Sequence, residues 1–134
     1  MTKIIINGNL SPNDIVNVAR NGFKVEIAPE AYQRMAKSRG LVESCVKENR
    51  AVYGITTGFG KFSDVSISEA NSKKLQKNLI MSHACGVGEP LPAETVRAMM
   101  ILRINALTVG NSGISKSTVD ALKDMLNGGV VPFV

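Results

Sequence analysis

From Glu94 to Val109 the chain is apolar on nearly every side of a helical wheel, with Val96, Met99, Met100, Ile101, Leu102, Ile104 and Leu107. A helix of that kind has no face to give to water, so it predicts a central, buried helix around which the rest must pack. Arg103 interrupts the run. An unpaired buried charge costs several kcal/mol, so Arg103 is expected to meet a carboxylate or several carbonyls.

Other helices announce themselves by their ends. Ser11-Pro12-Asn13-Asp14 reads as an N-cap followed by a first-turn proline, and Asn21-Gly22 as the stop. Pro29 to about Asn49 carries a helical stripe of Tyr32, Met35, Ala36, Val42, Cys45 and Val46, with Gly40 as a point of bending or splitting. Ser66 and Glu69 have capping-box spacing ahead of Leu75, Leu79 and Ile80. Ser117-Thr118-Val119-Asp120 opens a last helix whose inner face is Leu122, Met125 and Leu126, and Gly128-Gly129 closes it. Two segments break the helical period: Lys3 to Asn7, and Phe23 to Ile27 with its alternation. Both read as short strands able to pair with each other. The expectation is a mainly α protein with a small β element, organised as a single domain over residues 1–134, since 134 residues supply one ordinary core.

Composition excludes more than it assigns. Sixteen Lys and Arg against eleven Asp and Glu leave a net charge of +5, but the densest group, Lys73, Lys74 and Lys77, reads as a solvated helix face without interleaved aromatics. Nucleic-acid binding is not expected. Cys45 and Cys85 lack metal-like spacing and His83 is the single histidine, so no metal site is expected. The N-terminal apolar run is too short for a secretory signal, and no window approaches the roughly 20 apolar residues of a membrane span. A reduced, cytoplasmic protein is the expectation.

The chemistry concentrates in Tyr53-Gly54-Ile55-Thr56-Thr57-Gly58-Phe59-Gly60. This loop is no phosphate cradle. A P-loop starting at Gly54 would need glycine where Phe59 stands, and the dinucleotide pattern from Gly58 through Gly60 would need glycine where Ser63 stands. The Gly54 to Gly58 spacing matches a membrane-helix pairing motif without the apolar segment that motif needs. The bland reading is a helix connection that uses glycine's backbone freedom. The functional reading is a mobile flap that aims a phenol. A phenol with its ordinary pKa of about 10 is a weak base at neutral pH unless its anion is stabilised. His83, in Ser82-His83-Ala84-Cys85-Gly86, is likewise ambiguous between helix capping and chemistry.

Together, the glycine loop, Leu75-Gln76-Lys77-Asn78-Leu79, Ser82-His83-Ala84-Cys85-Gly86-Val87-Gly88 and Arg103-Ile104-Asn105-Ala106-Leu107 with Gly110 and Ser112-Gly113 closely resemble the aromatic amino acid ammonia-lyases. Within that family the blocks look like the histidine-specific branch, over essentially the whole chain. The resemblance implies elimination of ammonia from L-histidine to give trans-urocanate. It implies a methylidene-imidazolone prosthetic group built from an internal Ala-Ser-Gly, and helical homotetramers with sites shared between subunits. It casts Tyr53 as the lid-loop general acid/base, Gly60 as a residue lining the substrate site, and Ser82 and His83 as substrate-binding. An imidazole at His83 can exchange a hydrogen bond with the substrate ring, which the apolar pair of phenylalanine-specific relatives cannot.

One departure matters. The family's Ala-Ser-Gly is expected shortly beyond Val134 and occurs nowhere in these residues. The reading is therefore an N-terminal portion of an ammonia-lyase, inactive by itself and expected to self-associate through uncovered apolar helix faces. A non-catalytic interaction module derived from a lyase N-terminus, a lyase for another aromatic amino acid, and a weak polyanion binder stay open as alternatives.

Overall fold

The computed structural model describes residues 2–48, 50–57 and 69–134. It is mainly α. The order is β1 (Lys3–Ile6), α1 (Pro12–Ala19), β2 (Lys24–Ile27), α2 (Pro29–Lys47), α3 (Glu69–His83), α4 (Ala93–Thr108) and α5 (Lys116–Gly128). The chain forms two compact units, one from residues 1–39 and 88–134 and the other from 40–87. Helix α2 runs continuously through Gly40, where the first segment passes into the second, so the glycine neither splits the helix nor ends it.

In the larger unit the two predicted strands do pair, and they pair in parallel, Lys3 opposite Lys24 through Ile6 opposite Ile27. Parallel strands cannot be joined by a tight turn, and α1 is the crossover that returns the chain to the same end of the sheet. Helix α1 begins as its sequence predicts. The Ser11 hydroxyl accepts from the Asp14 N–H at 3.2 Å and the Asp14 carboxylate accepts from the Ser11 N–H at 3.0 Å. A two-stranded sheet is marginal alone, and its open edge is closed from α5. Asn127 accepts the Val25 N–H at 2.8 Å and donates to the Val25 carbonyl at 2.9 Å, which gives β2 the partner a third strand would have supplied.

Helix α4 packs against α1, α5 and β1, and α5 against β2. Ile6, Val18, Val25, Met35, Ile101, Ile104, Val119 and Leu126 are all essentially inaccessible and form the centre of this core. The expectation of an all-round buried α4 needs correction. Val96, Met100, Ile101, Ile104 and Leu107 are buried, but Met99 is 45% and Leu102 47% exposed. Arg103 shares that outer face and is exposed as well, so it needs no buried partner.

The arginine that does enter the packing is Arg97, six residues earlier on the same helix. Its guanidinium donates to the Val18 carbonyl at 2.7 Å, the Ala19 carbonyl at 3.3 Å and the Leu126 carbonyl at 3.2 Å. Val18 and Ala19 end α1, and Leu126 lies in the last turn of α5. All three carbonyls lie at the negative end of a helix dipole, and the Leu126 carbonyl also accepts the Gly129 N–H at 3.3 Å, so one cation serves two helix ends at once. Another close approach fixes a backbone position. Gly110, at φ +90, lets α4's exit pass so near α2 that an added Cβ would lie 2.6 Å from the Arg34 Cβ and 2.9 Å from its carbonyl carbon. Only glycine fits there.

Helix α5 starts two residues earlier than its hydroxyl pattern suggests, with Ser115 rather than Ser117 as N-cap, its side chain accepting from the Thr118 N–H. On its first turns Asp120 forms a polar cluster with Tyr32, whose hydroxyl donates to it, and with Lys116 and Lys123. Lys116 also lies 4.5 Å from the centre of the Tyr32 ring. Burial, then the hydrogen bond and charge of Asp120, push the Tyr32 phenol well above its ordinary range. Burial alone would raise Asp120, but hydrogen bonds from Lys116 and Tyr32 and the two lysine charges outweigh it and hold the carboxyl below 3.8. A depressed folded pKa contributes stability above the unfolded value and loses it as pH falls through the folded one. The thermal midpoint is therefore expected to decline as pH is lowered below about 4. Asp120→Asn should be less stable at neutral pH with a shallower acid decline, as scanning calorimetry between about pH 3 and 7 would measure.

Candidate functional site

Residues 40–87 hold the sequence-predicted site residues. Helix α2 ends at Lys47, and the chain then makes a fastened turn. The Ile55 and Thr56 N–H groups donate to the Val52 carbonyl, both at 3.0 Å. The Thr56 hydroxyl accepts from the Val52 N–H at 2.9 Å and donates to the Arg50 carbonyl. Gly54 sits at φ 73, a value its neighbours' side chains would make costly, and this allows the turn to close. Thr56 and Thr57 are buried while Tyr53 is 63% exposed. Thus the turn anchors itself through its threonines and holds the phenol out at its apex. Sequence reasoning weighed a helix connection against a flap and missed the anchoring role of Thr56. The available signal was a hydroxyl two residues after a turn glycine, which can satisfy the turn's backbone.

Gly58, Phe59 and Gly60 lie outside the described residues, as does Ser66 of the expected capping box. Helix α3 then runs to His83 as its last residue. His83 Nδ1 lies 3.0 Å from the Leu79 carbonyl oxygen and 2.9 Å from the Ser82 Oγ, and the Ser82 hydroxyl donates to the same carbonyl at 2.9 Å. The two side chains cap the helix by folding back onto the Leu79 carbonyl, one turn before the last residue. The cap consumes only one of the two ring nitrogens. Ser82 and His83 are both exposed, in a stretch that also exposes Ile80 (66%), Met81 (68%) and Val87 (100%). So many uncovered apolar side chains in one place mark a surface built to be covered.

The structure thus brings Ser82 and His83 into direct contact and places Tyr53 in the same compact unit. Cys45 is buried and Cys85 exposed, both as thiols. Among the described residues no group of three or more His, Cys, Asp or Glu could hold a metal ion, and no helix is long and apolar enough to cross a membrane.

The model of the family described as aromatic amino acid lyase matches residues 10–134. The chain belongs to the aromatic amino acid lyase family. It is 53% identical over 135 residues to the histidine ammonia-lyase of Caldanaerobacter subterraneus subsp. tengcongensis, a match that covers 100% of this chain and 27% of that enzyme. It is 50% identical over 126 residues to the histidine ammonia-lyase of Streptococcus gordonii, covering 94% of this chain and 25% of that one. Among solved structures, the histidine ammonia-lyase of Trypanosoma cruzi superposes with a TM-score of 0.92 at 38% identity, over 99% of this chain and 26% of that chain. The ergothionase of Treponema denticola does so with 0.93 at 34%, over 98% and 27%. This lyase chain therefore spans about a quarter of the length of the relatives it matches, and corresponds to their N-terminal portion.

Proposed function

We propose that this chain is the N-terminal portion of a histidine ammonia-lyase, contributing a proton-handling phenol and a substrate-ring partner to a site completed by other parts of the enzyme. The observation that carries the proposal is 53% identity to a histidine ammonia-lyase along the whole chain. The placement of Ser82-His83 supports it, because a capped histidine still offers one ring nitrogen to a ligand. In this reading Tyr53 takes and returns the β-proton, His83 pairs with the imidazole of L-histidine, Ser82 supports His83, and Gly60 lines the site. A polar ring pocket rejects an unmatched ring because an unpaired buried polar group costs about 1–3 kcal/mol.

The reading includes the family's methylidene-imidazolone group, which supplies the electron sink that makes ammonia a feasible leaving group. Its Ala-Ser-Gly precursor is not among these 134 residues, so nothing here forms it, and this chain's share is restricted to binding, orientation and proton transfer. Assembly into a homo-oligomer and a cytoplasmic location belong to the same proposal. The exposed apolar stripe of Met99 and Leu102 on α4, continued by Val109 just past its end, is what assembly would cover.

An assay for urocanate tests the proposal. The full-length enzyme that contains this sequence should convert L-histidine, and the pure 134-residue chain should give no product. Product from the isolated chain, or a full-length enzyme that ignores histidine in favour of tyrosine or phenylalanine, would overturn it.

A further inference from the structure

The three contacts at the end of α3 determine where the His83 proton sits. The Ser82 hydroxyl donates to the Leu79 carbonyl at 2.9 Å, and His83 Nδ1 lies 3.0 Å from that same oxygen, which can only accept. Ser82 has one hydroxyl hydrogen and spends it on that carbonyl. Toward Nδ1, 2.9 Å away, the Ser82 oxygen must therefore accept. Both neighbours of Nδ1 ask for a hydrogen and neither offers one. A bare lone pair on Nδ1 would face two acceptors, which is repulsive. In the neutral ring the hydrogen on Nδ1 leaves Nε2 as a pure acceptor.

We infer that the Leu79 carbonyl and the Ser82 hydroxyl act as positioning groups that lock His83 in the Nδ1–H tautomer. Nε2 is thereby presented as a hydrogen-bond acceptor to the substrate ring. The inference rests on the reading of L-histidine as substrate and refines it: the site selects a ring that brings its own N–H, and a ring with no donor leaves Nε2 unpaired. Ser82 contributes by orienting the ring and fixing its tautomer.

Because His83 is the only histidine in the chain, nitrogen NMR of the 134-residue protein with labelled histidine gives one unambiguous ring. At about pH 9, Nδ1 should carry the proton and Nε2 should show the signature of an unprotonated nitrogen. Free histidine favours the opposite tautomer. Ser82→Ala should shift the population toward Nε2–H by severalfold, and Ser82→Thr should restore it. In the full-length enzyme Ser82→Ala should raise KM for histidine about 3–10-fold, the worth of one neutral hydrogen bond, with kcat changed less than about twofold. A proton on Nε2 in the unsubstituted chain overturns the inference, and so does a Ser82→Ala ring spectrum indistinguishable from the original. If Ser82→Ala does not fold, the spectrum of the unsubstituted chain decides alone. The ring spectrum is read without substrate, so a wrong substrate assignment would appear as absent histidine turnover and leave the tautomer result standing.

Discussion

Tyr53→Phe in the full-length enzyme is expected to lower kcat by about 10²–10⁴, the usual contribution of a positioned proton-transfer group, with KM for histidine changed little. The asymmetry between the two constants follows from the position of the phenol. Tyr53 is 63% exposed at the apex of a turn that is closed by the Val52 backbone and the Thr56 side chain, groups that Tyr53→Phe does not alter. A loss of turnover would then report chemistry rather than unfolding. Thr56→Val is the informative companion. It keeps shape but removes the hydroxyl that holds the Val52 N–H and the Arg50 carbonyl, and should lower activity by loosening the turn while Tyr53 itself remains. Near-normal turnover in Tyr53→Phe would mean that the phenol is not the proton carrier.

The second large effect concerns stability. Arg97→Met should destabilise the chain by about 2–3 kcal/mol, because it strips the Val18, Ala19 and Leu126 carbonyls of a charged donor and leaves them partly shielded from water. Urea unfolding should show a lower midpoint with an unchanged slope. Arg97→Lys should recover only part of the loss, since an ammonium keeps the charge but cannot span three carbonyls as the planar guanidinium does. Arg103→Met, on the exposed face of the same helix, should fall within about 0.5 kcal/mol of the original protein. Equal effects at the two arginines would contradict the assignment of Arg97 as the link between helix ends.

Those two arginines show where sequence reasoning reaches its limit. Helix α4 carries apolar residues on both sides, Met100, Ile101 and Ile104 on one and Met99 and Leu102 on the other. Arg97 lies on the first stripe and Arg103 on the second. Periodicity reveals both stripes but cannot say which one this chain's core takes, so the wrong arginine was marked for burial. The strands were legible from β-branched runs, yet their parallel arrangement depends on α1 serving as a crossover, which is a tertiary fact. Ser115 and Ser117 are both acceptable caps, and a rule based on residue type does not separate two serines two positions apart. Local chemistry read well where one interaction decides the outcome, as at Ser11 with Asp14.

The site was legible in a different way. Nothing in composition or spacing gives Tyr53 or His83 a role, and each has a sound structural explanation. What marked them was a set of ordered blocks resembling one enzyme family, and the family match over residues 10–134 bears that out. The structure adds what the blocks could not show: the turn anchored by Thr56, and the contacts of His83 Nδ1 with the Leu79 carbonyl and the Ser82 hydroxyl.

The most direct test is a comparison of kcat/KM for L-histidine and L-phenylalanine in the full-length enzyme and in its His83→Leu variant. A polar ring partner predicts a loss on histidine of at least about 10–100-fold, from the unpaired substrate ring, with phenylalanine unchanged or improved. Histidine and phenylalanine falling together, or neither falling, would contradict the placement of His83 against the substrate ring.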